Sequence, residues 1–156
     1  MPVDDTAENR RHYRYPPGVK SRCGFPALKL LAFFSLESGA LLDCMEAPSR
    51  RSEQSLFRAL WKRVLRAGNV LLGDRFYRNY ASFIRLTREA IHIVVRQNAS
   101  LSASLRRVRP IGKRDHLYEW HRTRVYCSGF SAPAWRRLPK KILVRQLEVI
   151  IDVRGM

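Results

Sequence analysis

Between residues 27 and 96, short apolar runs alternate with amphipathic segments of helical length, and this alternation restricts the fold more than any other feature. Residues 27–36 are strongly apolar and lie between Pro26 and Glu37-Ser38-Gly39, which predicts a strand followed by a turn. Residues 40–45 read as its hairpin partner, ending before Pro48. Across residues 49–66, Leu56, Phe57, Leu60, Trp61, Val64 and Leu65 form one apolar stripe, with Arg58, Lys62, Arg63 and Arg66 off it or at its edge. That pattern is an amphipathic helix, with Ser49 or Ser52 to cap its start and Gly68 to stop it. Val70-Leu71-Leu72 is short and wholly apolar, as expected of a parallel strand buried on both faces. Residues 80–90 read as a second helix, with Tyr80, Phe83, Ile84 and Thr87 on one side, and residues 91–95 as a β-branched strand. The expected class is therefore α/β: a mixed sheet of residues 27–36, 40–46, 69–73 and 91–96, with the helix 52–66 packed on it.

The flanking segments differ in character. Residues 1–24 are polar, contain Pro2, Pro16, Pro17 and Gly18, and read as an extended arm. After Gln97 the chain turns polar and basic through residues 98–114, then offers two strands, 117–120 and 142–153. In the second, Leu143, Leu147, Val149, Ile151 and Val153 share a face, Arg145 being the exception. The expected organisation is an arm (1–24), an α/β core (25–97) and a basic, β-rich segment (98–156).

Hydrophobic residues make up 46% of the 156, enough for a packed core, so disorder throughout is not expected. The net charge is +17, an excess that repels itself unless a polyanion is near. Nucleic acid is the first such partner to consider and an anionic membrane surface the second. No apolar run approaches the roughly 20 residues of a membrane span, and the acidic, polar N-terminus is no signal peptide; a cytoplasmic protein is expected. Cys23, Cys44 and Cys127 are odd in number and far apart, which fits free thiols, and the absence of a Cys-x-x-Cys pair argues against zinc. His92 reads as a packed strand residue, and His116 and His121 make a poor metal pair.

Asp74 is the position where chemistry is easiest to place. An acid just after a buried parallel strand faces the crevice at the carboxyl edge of the sheet, where such folds bind ligands. A carboxylate there can hold a hard divalent cation. Equally, Asp is a favoured N-cap and a helix follows, so both roles stay open from the residues alone.

Five segments, in order, resemble the bacterial insertion-sequence transposases of the IS-four type. They are Asp5-Thr6-Ala7-Glu8-Asn9, Cys23-Gly24-Phe25-Pro26, the run from Phe34 to Asp43, Leu71-Leu72-Gly73-Asp74-Arg75-Phe76-Tyr77, and Gly112-Lys113-Arg114-Asp115-His116-Leu117. The resemblance implies an RNase H-like domain interrupted by a β-rich insertion, and cutting and joining of DNA by three carboxylates holding Mg²⁺ or Mn²⁺. It makes Asp74 the second catalytic acid and a metal ligand. Asp5 matches a later, non-catalytic acid, and Glu148 lies in a strand pattern rather than on the helix that carries the third acid. The resemblance thus implies an incomplete RNase H-like domain, truncated at both ends and inactive by itself. Its partners would be transposon-end DNA and a full-length transposase in a mixed dimer. Arg106, Arg107, Arg109, Lys113 and Arg114 are the candidate phosphate contacts. A Trp of the family's insertion can stack on a displaced base, but Trp120 and Trp135 are more simply core. The rival readings are a small basic nucleic-acid-binding protein without catalysis, and a regulatory fragment that inhibits an intact transposase.

Overall fold

A computed structural model describes residues 1–16, 18, 24–97, 105–123 and 131–150. The chain divides into two compact units, Met1–Asn69 and Val70–Met156, a division that falls inside the segment 25–97. The architecture is mixed α/β, with four α-helices and three small sheets among the described residues.

In the first unit, β1 (Leu28–Phe34) and β2 (Leu41–Pro48) pair antiparallel, with Leu28 opposite Pro48 and a bulge between Phe33 and Phe34. Gly39 sits in the connecting turn at φ 70°, a conformation that a side chain disfavours. Helix α2 (Glu53–Val64) packs on both strands. Its stripe behaves as the sequence predicts: Leu56, Phe57, Leu60 and Trp61 are all buried, and Phe57 stacks on Phe33 at 6.0 Å. The Ser52 side chain caps the helix by accepting from the Ser55 backbone N–H at 3.2 Å. An Arg63–Asp43 ion pair at 3.0 Å joins α2 to β2.

The N-terminal arm is more ordered than its composition suggests. The Val3 N–H donates to Pro26 and the Leu28 N–H to Met1, so residues 1–3 run beside the start of β1. Helix α1 (Ala7–His12) follows, capped by Thr6 and burying no residue. With no apolar face it leaves no periodicity to read, which is why the sequence predicts an extended arm there.

In the second unit, β3 (Val70–Gly73) and β4 (His92–Val95) pair parallel, Val70 opposite His92. Between them lie a 3₁₀ turn (Arg75–Tyr77) and α3 (Tyr80–Arg88), which packs on β4. A Cβ on Gly73 would come within 3.3 Å of both Tyr77 and Val95, so the crossover is tight at this glycine. A second, antiparallel sheet has the order β5 (Leu105–Gly112), β6 (Asp115–His121), β7 (Lys141–Leu147). Tyr80, Ala81 and Ile84 of α3 form one core with Trp120, Trp135 and Leu138, flanked by Phe83, Leu105, Ile142 and Val144. Trp135 comes from the short α4 (Ala132–Arg136), whose last carbonyls are held by Arg122: its Nη1 donates to Trp135 O at 2.6 Å and Leu138 O at 2.7 Å.

Two expectations are corrected, and two segments are defined further. The strands 27–46 do not join those at 70–73 and 92–95 in one mixed sheet; they form separate pairs. The Val70-Leu71-Leu72 strand is not buried on both faces: Val70 and Leu72 are 60% and 54% exposed, because no described helix covers that side of the pair. The basic stretch, which shows no strand pattern in the sequence, is largely strand, β5, stabilised by its ladder to β6 rather than by apolar alternation. In β7, Leu143 and Leu147 face solvent while Ile142 and Val144 face the core, since Trp120 opposite Ile142 decides which side is inside. Arg145, the exception in the pattern, therefore sits on the outer face. The part of the second strand beyond residue 150 lies outside the described residues, as do Cys23 and Cys127.

On that outer face Arg145 grips Asp115. Its Nε donates to both carboxylate oxygens, at 2.9 and 3.0 Å, and Nη2 to one of them. The hydrogen bond from Arg145 holds the Asp115 carboxyl below its ordinary range, and the one from Lys141 does the same for Glu119. Both groups thus bind protons more weakly folded than unfolded. Their stabilisation is complete above the unfolded carboxylate range, about pH 4, and is lost as pH falls through the lower folded values. Thermal unfolding followed from pH 7 to pH 2 should show stability falling below about pH 4. In Asp115→Asn that acid limb should be shallower, and an identical limb in both proteins would remove Asp115 from the account.

Candidate nucleic-acid interface

The β5–β6 hairpin carries the basic residues. Lys113 and Arg114 form its two-residue turn, between the paired Gly112 and Asp115. β5 is an edge strand, which is why Pro110 is tolerated within it. A bulge at Val108 changes which arginines share a face. Simple alternation would put Arg107 with Arg109, but the register sets Arg106 opposite Glu119 and Arg109 opposite Leu117, both on the outward face of the sheet. Arg107 lies opposite Tyr118 and its guanidinium meets the His116 ring.

Arg106, Arg107, Arg109, Lys113 and Arg114 are all exposed. Among the described residues, none of the five has a carboxylate partner. The acids on the neighbouring strand are engaged elsewhere: Asp115 by Arg145, and Glu119 by Lys141 at 2.6 Å and by His121 at 3.3 Å. Five exposed cations along one hairpin, without a carboxylate partner among the described residues, make a strip of positive potential.

Asp74 stands where the sequence predicts, just past β3 and beside Arg96, which follows β4, so it lies at the carboxyl edge of the parallel pair. Its side chain is 61% exposed and caps the 3₁₀ turn, accepting from the Arg75 N–H at 2.6 Å. Arg96 adds an ion pair at 3.6 Å, a partner that nothing in its sequence context marks. Of the two roles open for Asp74, the cap is the one its contacts fill. Among the described residues there is no group of three His, Cys, Asp or Glu able to hold a metal ion. One carboxylate, with one oxygen already accepting from a backbone N–H, does not fit the two-ion site that the resemblance implies, and no step is derived through Mg²⁺ or Mn²⁺.

Burial settles the role of the two tryptophans in the β-rich segment. Trp120 is 5% and Trp135 3% exposed, with Trp120 edge-on to Tyr80 at 5.4 Å and to Phe83 at 5.2 Å. Neither offers a ring face to a nucleobase. Cys44 is an exposed free thiol. Among the described residues no helix is long and apolar enough to cross a membrane. Comparison of the chain with family models, with curated proteins and with solved structures finds no match.

Proposed function

We propose that this chain binds DNA through its phosphate backbone, using Arg106, Arg107, Arg109, Lys113 and Arg114 of the β5–β6 hairpin. The observation that carries the reading is the absence of a carboxylate partner for all five cations among the described residues, in a chain of net charge +17. Backbone contact of this kind positions a protein on DNA without reading sequence.

Within this reading, the chain belongs to the RNase H-like, insertion-sequence transposase class, its DNA the transposon ends and its protein partner a second transposase chain. The five motifs in register and the place of Asp74 at the carboxyl edge of β3–β4 support it. The contacts of Asp74 with Arg75 and Arg96 favour the second reading, a basic nucleic-acid-binding protein that does no chemistry by itself.

Anisotropy titrations of a labelled duplex of about 20 base pairs, from low to high salt, test the binding. Each phosphate contact releases counterions worth a slope of about 0.9 in log affinity against log salt, so five contacts give a slope of about 4.5. Unrelated duplex sequences should bind alike. An affinity that stays flat with salt would overturn the proposal.

A further inference from the structure

Arg78 closes the 3₁₀ turn and immediately precedes Asn79, the N-cap of α3. The residue is half-buried, and its guanidinium lies 5.6 Å from the centre of the Trp120 ring. Two of its donors, Nε and Nη2, are buried and meet no hydrogen-bond acceptor among the described residues. They project from one edge of the planar group, and together they form the fork that takes two oxygens of an oxyanion. Charged donors left dry and unpaired carry a larger penalty than neutral ones, and a ring face returns only part of it. Burial accordingly pushes the Arg78 guanidinium down from its ordinary range. The acids of the preceding turn and of β6 are engaged elsewhere: Asp74 with Arg75 and Arg96, Asp115 with Arg145, Glu119 with Lys141.

We propose that Arg78 is a concealed phosphate contact, whose side chain leaves the Trp120 ring and closes its Nε–Nη2 fork on a phosphate oxyanion. Because the residue is half-buried rather than enclosed, rotation about its own side-chain bonds suffices, and α3 and Trp120 keep their places. A ligand shifts such an equilibrium by its preference for one state. Here the preference is strong, since the inward state leaves two charged donors empty and the outward state fills both. Trp120 pairs with Leu105, at the end of the hairpin away from the Lys113-Arg114 turn. Arg78 therefore marks the opposite end of β5 from the basic turn, roughly 25 Å away at about 3.3 Å per residue. Contacts at both ends suit a phosphate backbone lying along the hairpin. That source of phosphate rests on the DNA-binding reading, while free phosphate or a nucleotide would present the same chemistry to the fork.

The test follows the tryptophan indole N–H signals by NMR, assigned with single Trp→Phe variants. Adding pyrophosphate should shift the Trp120 signal as the guanidinium leaves the ring, and Arg78→Met should abolish that shift. Adding a duplex of about 20 base pairs should shift the same signal, and Arg78→Met should weaken duplex binding about tenfold at low salt and lower the salt slope by about 0.9. Arg78→Lys keeps the charge but loses the fork, so it should restore the slope without restoring the full affinity. A Trp120 signal that neither pyrophosphate nor duplex moves in the unaltered protein overturns the proposal, whether or not the variants fold. A response to pyrophosphate in a chain that does not bind duplex keeps the phosphate contact and sinks the DNA reading. Duplex binding that leaves Trp120 unmoved does the reverse.

Discussion

Replacing Trp120 by alanine is expected to cost about 3–5 kcal/mol of unfolding free energy, the range for emptying a buried aromatic site. Three features make Trp120 a costly position to empty. It is 5% exposed, so nearly all of its apolar area is removed from water. It sits edge-on to both Tyr80 and Phe83, which fixes the angle of α3 against the sheet. It also stands on the central strand, opposite Leu105 on one side and Ile142 on the other, so collapse around the void would disturb both ladders. Against a typical domain stability of about 5–15 kcal/mol, such a loss leaves little in hand. Trp120→Phe keeps a ring in the site and should cost less. Urea unfolding monitored by circular dichroism measures both variants. A loss below about 1 kcal/mol for Trp120→Ala would mean that the side chain does not organise this core.

Changing Arg106, Arg107 and Arg109 together to alanine should lower the salt slope of duplex binding by about 2.7, from three lost contacts at about 0.9 each. At low salt the affinity should fall by roughly two to three orders of magnitude, because the released counterions are the driving force. Folding should survive, since all three side chains are exposed on an edge strand and none is ion-paired with a carboxylate among the described residues. Removing like charges from one strand also relieves repulsion. The controls are Arg63 and Arg145, which are paired with Asp43 and Asp115. Changing either should alter DNA affinity far less. An unchanged slope in the triple variant would place the contacts elsewhere on the chain.

Elements whose burial is periodic are legible in the sequence. Helix α2 is the clearest case: residues three and four apart share a face, so Leu56, Phe57, Leu60 and Trp61 announce both the helix and its inner side. Strand β5 is not legible, because its run of arginines has no apolar alternation and its ladder depends on a partner strand that the local sequence does not reveal. The placing of Arg106 with Arg109 on one face is hidden for the same reason, since only the register against β6 exposes the bulge at Val108. For Asp74, its place after an apolar strand is legible, whereas its contact with Arg96 depends on β4 lying parallel beside β3.

Composition and spacing within single segments account for the strong positive charge, the α2 stripe, the short strands at 70–73 and 92–95, and the basic residues of the hairpin. Which side of each strand turns inward is a matter of packing between segments. β7 offers hydrophobic residues to both faces, Ile142 and Val144 on one and Leu143 and Leu147 on the other, so alternation cannot choose between them. The choice falls to distant residues, Trp120, Trp135 and Tyr80, whose rings fill one side and leave the other to water. The sorting of the charges follows from that choice. Asp115 and Arg145 close on each other across the outer face, while the arginines of β5, on the edge, have no carboxylate partner among the described residues.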